Sequence, residues 1–253
     1  MNKKQIFGIL TSSIFLLSSC FGDDEPESQL TACFTVHNSS NGAVLYMDGG
    51  NIIYPSSQSI YDLTSGKGLG DIKRAQFSLT YTDSNVTVDS DNKVTIREAK
   101  LISGSQLPLF DIIKSTEIAN SKNILVNDSI DDINSINVWA YRGYFNVMYN
   151  SNYIAKSQKA IAPSLNVIVE PNTMDPRQIN VRIVNNMHKT DSKDLTAGNY
   201  TFTNSYDITY LQNNENLHGV DSLTLNISID KCKVEKYKNF TFKIGYKDLF
   251  YPY

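Results

Sequence analysis

The sequence predicts an all-β protein of two β-domains, and three observations carry that prediction. Hydrophobicity alternates with period two through much of the chain. In Ser222 to Asp230 (SLTLNISID), Leu223, Leu225, Ile227 and Ile229 fall on one face, with Thr224, Asn226 and Ser228 on the other. Phe240 to Tyr246 (FTFKIGY) repeats the pattern with Phe240, Phe242, Ile244 and Tyr246. Such alternation marks half-buried antiparallel strands. No helical period is sustained anywhere. The composition agrees, since 15 Tyr and 11 Phe suit a pleated surface.

Taken in order, the chain opens with a leader. Lys3 and Lys4 precede an apolar run from Ile6 to Leu17, which ends in Leu17-Ser18-Ser19-Cys20. This is the layout of a secretory signal over residues 1–19. A membrane-spanning helix needs ~20 apolar residues, whereas Gly8, Thr11, Ser12 and Ser13 interrupt this shorter run. Leu-Ser-Ser-Cys resembles the bacterial lipobox, which implies cleavage before Cys20, lipidation of its sulfur and anchoring to a membrane. Residues 20–32 read as an acidic tether. Within it, Asp23, Asp24 and Glu25 resemble the surface-export signal of Bacteroidetes lipoproteins. That likeness implies display on the outer face of the outer membrane, with the periplasm-facing leaflet as the alternative. A solvated acidic spacer is the plainer reading.

Removal of residues 1–19 takes Lys3 and Lys4 and leaves 21 basic against 26 acidic residues, a net charge of about −5. A nucleic-acid binder carries a concentrated basic footprint, and none is present, so nucleic acid is not expected as a partner. With Cys20 consumed by lipid, Cys33 and Cys232 are the candidate disulfide pair, in a compartment where bridges form. Two separate buried thiols are the alternative.

The first β-domain is assigned to residues 33–115, with strands at Ala75 to Tyr81 and Lys93 to Arg97. Gly66-Lys67-Gly68-Leu69-Gly70 lacks the Gly-Lys-Ser/Thr ending of a phosphate loop and reads as a flexible hairpin loop. Residues 116–134 form a polar linker. The second domain, residues 135–253, carries strands at Ile136 to Ala140, Tyr144 to Tyr149, Leu165 to Glu170 and Ile179 to Val184, besides the two above.

Several segments resemble the NigD-like family of Bacteroidetes lipoproteins. Val44-Leu45-Tyr46-Met47-Asp48-Gly49-Gly50, then Pro55, then Lys73-Arg74-Ala75-Gln76-Phe77-Ser78-Leu79-Thr80-Tyr81 are similar to that family's strand ending in Asp-Asp/Gly, extended loop and Gly-x-Arg-Val strand. Val138-Trp139 with Gly143-Tyr144-Phe145-Asn146-Val147, and Ile179-Asn180-Val181-Arg182-Ile183 with Asn185-Asn186, resemble two later segments. Phe145 stands where the family has Leu, Ala75 where it has Val, and its His before Asn is missing. The resemblance implies a small OB-like barrel followed by an immunoglobulin-like antiparallel β-sandwich.

The search for chemistry returns little. His37, His188 and His218 are scattered, without a second His or Cys at ligand spacing, so no metal or other cofactor is expected. No nucleophile elbow occurs. Asp131-Asp132 read as turn residues, because neighbours on a strand point apart. No enzyme is expected. Trp139, the sole tryptophan, shares a strand face with Asn137 and Tyr141. This face is either a sugar- or protein-contact surface or a sandwich-core position. Asp128-Ser129-Ile130 matches the acceptor pattern of Bacteroidetes O-glycosylation, as does Asp221-Ser222-Leu223, and Ser129 is the candidate site. The expected role is a lipid-anchored envelope protein that binds or assembles. A carbohydrate binder using Trp139 and Tyr141, or a fimbrial-type subunit donating the tail from Leu249 to Tyr253, are the alternatives.

Overall fold

Strands dominate the computed structural model, which describes residues 25–114, 133–155, 165–172, 174–185, 195–214, 217, 219–229 and 239–250. Cys20, Asp23, Asp24, Ser129, His188, His218 and Cys232 lie outside the described residues. The chain divides into two units, residues 1–106 and 107–253.

The first unit comprises β1 (Glu27–Ser39), β2 (Gly42–Met47), β3 (Ile52–Pro55), α1 (Ser57–Thr64), β4 (Arg74–Thr82), β5 (Val86–Val88) and β6 (Val94–Gln106). The strands run in the order β3-β2-β1-β4-β6-β5, and a parallel β3–β6 pairing closes the ring. The result is a five-stranded barrel in the cyclic order β1-β2-β3-β6-β4, with α1 between its third and fourth strands and β5 as an added hairpin arm. Closure removes the sheet edges within the ring, and the order is that of an OB-like barrel. Alternation along each strand turns Phe34, Leu45, Ile53, Phe77, Leu79 and Ile96 into one core.

Helix α1 has no counterpart in the sequence reading. At eight residues it is too short to show a sustained helical period, and it rests on its caps and its docking. The Ser59 amide donates to the Ser56 hydroxyl at the N-terminus, and the Ser59 hydroxyl donates to the Ala99 carbonyl of β6. Ser65, at φ 51°, ends the helix in the left-handed region, and Gly66 continues there at φ 81°. The Gly66-to-Gly70 segment is therefore the exit of α1 and not a hairpin loop, and Leu69 within it is buried in the barrel core.

Two sequence-based boundaries move. Strand β1 starts at Glu27, inside the predicted tether 20–32, because Leu30 and Ala32 turn inward while Glu27, Gln29 and Thr31 stay exposed. A polar stretch with two small or apolar inward positions reads as a spacer by composition alone. The domain boundary lies after Gln106 and not at 115. Strand β7 (Leu109–Asp111) pairs with β13 (Leu195–Asp207), and β8 (Ile113–Lys114) pairs with β11 (Leu165–Pro171), which ties this segment to the second unit.

The second unit adds β9 (Ile133–Tyr141), β10 (Tyr144–Ala155), β12 (Gln178–Asn185), β14 (Ser222–Ile229), β15 (Asn239–Gly245) and α2 (Tyr246–Phe250). One sheet runs β7-β13-β10-β9, the other β15-β14-β12-β11-β8. Their inner faces meet in a core that includes Phe145, Val147, Val167, Val181, Leu225 and Ile227. The buried positions of β14 are those the alternation predicts: Leu223, Leu225, Ile227 and Ile229. The sandwich is not wholly antiparallel, since β12–β14, β11–β8 and β13–β7 are parallel pairs. The chain leaves β12, crosses to the other sheet as β13, then returns as β14, so no hairpin forces the two to oppose.

The described part of the C-terminal tail is packed within its own unit. Leu249 and Phe250 are 0% and 4% exposed within the protein's own core. The Arg142 amide donates to the Asp248 carbonyl and the Gly143 amide to that of Leu249, so α2 is seated on the β9–β10 turn. Leu249 and Phe250 are thus used within the second unit, and residues 251–253 lie outside the described residues.

Candidate functional site

The two halves of the barrel's family-like pattern converge on one buried polar cluster. Strand β2 ends at Met47, and Asp48 follows in a turn whose Gly49 and Gly50 sit at φ 116° and 106°, where a side chain would be strained. Asp48 donates its amide to the Cys33 carbonyl at 3.1 Å, which pins the turn to β1. Arg74, the first residue of β4, reaches Asp48 through both terminal nitrogens, at 2.7 and 2.6 Å. The same guanidinium donates to the Thr35 hydroxyl at 2.9 Å. The Arg74 side chain is fully buried and that of Asp48 is 6% exposed.

This is a two-pronged guanidinium–carboxylate pair, the strongest common form of ion pair. Register places Thr35 and Arg74 opposite each other, on the strand sides facing away from Phe34 and Ala75. They are nonetheless buried, on the outward side of the barrel wall. The pair latches the β2–β3 turn to β1 and β4. Sequence reasoning quoted Asp48 and Arg74 as parts of a family pattern without pairing them, since 26 residues separate them.

Cys33 lies beside this cluster. It is a free thiol among the described residues, and its candidate partner Cys232 lies outside them. Burial, aided by the Asp48 charge and opposed by Arg74, pushes the thiol up to about 11. A thiol held protonated at neutral pH is a poor nucleophile.

The outward side of β2, β3 and β6 carries Val44, Tyr46, Ile52 and Tyr54, all half-buried, with exposed Arg97. The Arg97 guanidinium sits 4.7 Å from the Tyr54 ring centre, a cation–π contact that fixes both groups. Arg97 and Glu98 form a bulge in β6, with Glu98 at φ 53°.

In the second unit, Trp139 is half-buried on β9, facing away from the inner positions Ile136 and Ala140. The sandwich-core alternative for Trp139 therefore does not hold. Its predicted partner Tyr141 is only 7% exposed, with Arg142 placed over its ring at 5.7 Å. Tyr141 offers little contact area, which weakens the expected Trp139/Tyr141 ligand surface. The neighbouring outward positions are also closed, as Asn146 and Ser205 are fully buried and bonded to each other at 2.7 Å. Glu25 is exposed ahead of β1, and Ser222 is exposed at the start of β14. His37 is half-buried on β1. No metal-binding group of three or more His, Cys, Asp or Glu side chains occurs among the described residues.

No protein-family model and no curated protein matches the chain. Solved structures do. A protein from Bacteroides fragilis NCTC 9343 assigned as a lipoprotein superposes with a TM-score of 0.52 at 9% identity, covering 87% of this chain and 98% of that one. A NigD-like immunity protein from Bacteroides caccae ATCC 43185 superposes with a TM-score of 0.50 at 14% identity, covering 85% and 96%. At such identities the likeness speaks for the fold: the chain is all-β and NigD-like in architecture.

Proposed function

We propose that this chain is a lipid-anchored protein of the bacterial cell envelope, NigD-like in kind, which works by binding and not by catalysis. The observation that carries the reading is the position of the leader. Leu17-Ser18-Ser19-Cys20 ends seven residues before Glu27, the first residue of β1. At ~3.5 Å per residue, a lipidated Cys20 would hold the barrel within roughly 25 Å of a membrane surface. The fold shared with a lipoprotein-assigned structure supports the same reading. Display on the outer surface of the outer membrane rests on Asp23, Asp24 and Glu25. Metabolic labelling with a fatty-acid analogue tests the anchor, and the label is expected to vanish in Cys20→Ala. Label retained in Cys20→Ala refutes it. Protease accessibility on intact cells, lost when the three acidic residues become Ala, tests the surface assignment.

As a second reading we propose a glycan ligand, held at the barrel wall in preference to Trp139 and Tyr141 because Tyr141 is buried. Tyr54 and Ile52 share a strand side and stay half-buried, with the Arg97 guanidinium over the Tyr54 ring, so the edge of the ring and the charge beside it are what a sugar would meet. OB-like barrels use their second and third strands to hold oligosaccharides. Binding on a glycan array should be lost in Tyr54→Ala and kept in Trp139→Ala, with both variants folded. A wild-type protein that binds no glycan removes this reading and leaves a protein partner.

A further inference from the structure

The β11–β12 connection presents a methionine as its most exposed feature. Met174 is 95% exposed, well beyond the next large hydrophobic side chain among the described residues, Tyr61 at 62%. The segment around it is organised by its polar neighbours. The Asn172 side-chain oxygen accepts the amides of Met174 at 2.8 Å and Asp175 at 3.3 Å. Asp175 accepts the amide and Nε of Arg177 through Oδ1, and a terminal nitrogen of Arg177 and the Gln178 amide group through Oδ2. Backbone bonds from Asn172 to Gln178, and from Gln178 to Asp175, close the hairpin. These bonds run through Asn172, Asp175, Arg177 and Gln178, so the tip keeps its shape whatever becomes of the Met174 thioether.

The other described methionines sit differently. Met47 is half-buried against the barrel core, and Met148 is half-buried on β10. Thioether oxidation follows exposure of the sulfur. We propose that Met174 is a methionine-sulfoxide site, oxidised by hydrogen peroxide or a hypohalous acid ahead of Met47 and Met148 and without loss of the fold. With peroxide, a sulfur lone pair attacks one oxygen and the O–O bond breaks. The leaving hydroxide takes the remaining proton as water, so sulfur loses two electrons and peroxide gains them. The product replaces an apolar tip with a polar, chiral one, which changes what the hairpin can contact. The inference is independent of the anchoring and ligand readings.

The test is a limited peroxide time course on the mature chain, with peptide mass mapping and thermal melting in parallel. The Met174 peptide should gain oxygen several-fold faster than the Met47 and Met148 peptides, with the melting transition unchanged while it does. In Met174→Leu, the fast phase should disappear from the Asn172–Arg177 peptide while the Met47 and Met148 rates stay the same. Met47 or Met148 reacting as fast as Met174 overturns the proposal. So does a melting temperature that falls in step with Met174 oxidation.

Discussion

Replacing Asp48 with Ala isolates the energetics of the barrel's polar cluster. The change leaves the Arg74 guanidinium fully buried, with the Thr35 hydroxyl still in reach and both carboxylate bonds, at 2.7 and 2.6 Å, removed. Removing one partner of a buried ion pair costs about 3–5 kcal/mol, because the remaining charge loses its two-pronged carboxylate contact in a poorly solvated place. For a barrel of this size that loss lowers its melting transition on the order of 20 °C. Replacing both members with apolar residues of similar volume, as Asp48→Leu with Arg74→Met, should cost less than either single change. Desolvation of the two charges roughly cancels their attraction. The assay is urea unfolding of the mature chain by circular dichroism, with amide exchange on β1 and β4 locating the transition in the barrel. A single Asp48→Ala variant within ~1 kcal/mol of the parent would refute the latch. A double variant as unstable as the summed singles would refute the coupling.

Two further outcomes follow from the sandwich core. Burial raises the Tyr149 phenol from 10 to about 12, and Tyr206 is raised further, mainly by burial. The folded protein thus holds these protons more tightly than the unfolded chain. Their contribution is complete below pH 10 and is lost as pH rises through 12, worth roughly 2–3 kcal/mol for Tyr149. Urea midpoints read by the fluorescence of Trp139 should fall between pH 10 and 12, and a flat profile there would sink the argument. Leu249→Ala, at a fully buried position, should destabilise the second unit by about 2–5 kcal/mol without altering the sedimentation of the folded protein. Self-association that depends on Leu249 would instead favour the donor-strand idea.

Legibility differed from element to element for identifiable reasons. Strand β14 was readable because its inward positions are all aliphatic and its outward ones all polar. Strand β13 was not, since its inward row includes Asn204. That side chain is buried and lowers the pKa values of the Tyr149 and Tyr206 phenols against the effect of burial, and a hydropathy pattern records it as a break. Leu249 and Phe250 read as part of a spare apolar segment, and only the carbonyls of Asp248 and Leu249 on the β9–β10 turn show how this stretch is used. Of the expected contact pair, Trp139 keeps part of its surface and Tyr141 does not. Alternation assigned them to one face but carries no information on what covers that face.

The sequence by itself determined the all-β class and the inward rows of the regular strands. Both are written in neighbours one to four residues apart, where pleat geometry acts locally. Tertiary structure alone decided that β3 meets β6 to close a barrel, that β12 and β14 run parallel, and that Asp48 and Arg74 are partners. Those outcomes depend on contacts across tens of residues. There, burial of a charge is tolerated only because the closed barrel places its counter-charge within hydrogen-bond reach.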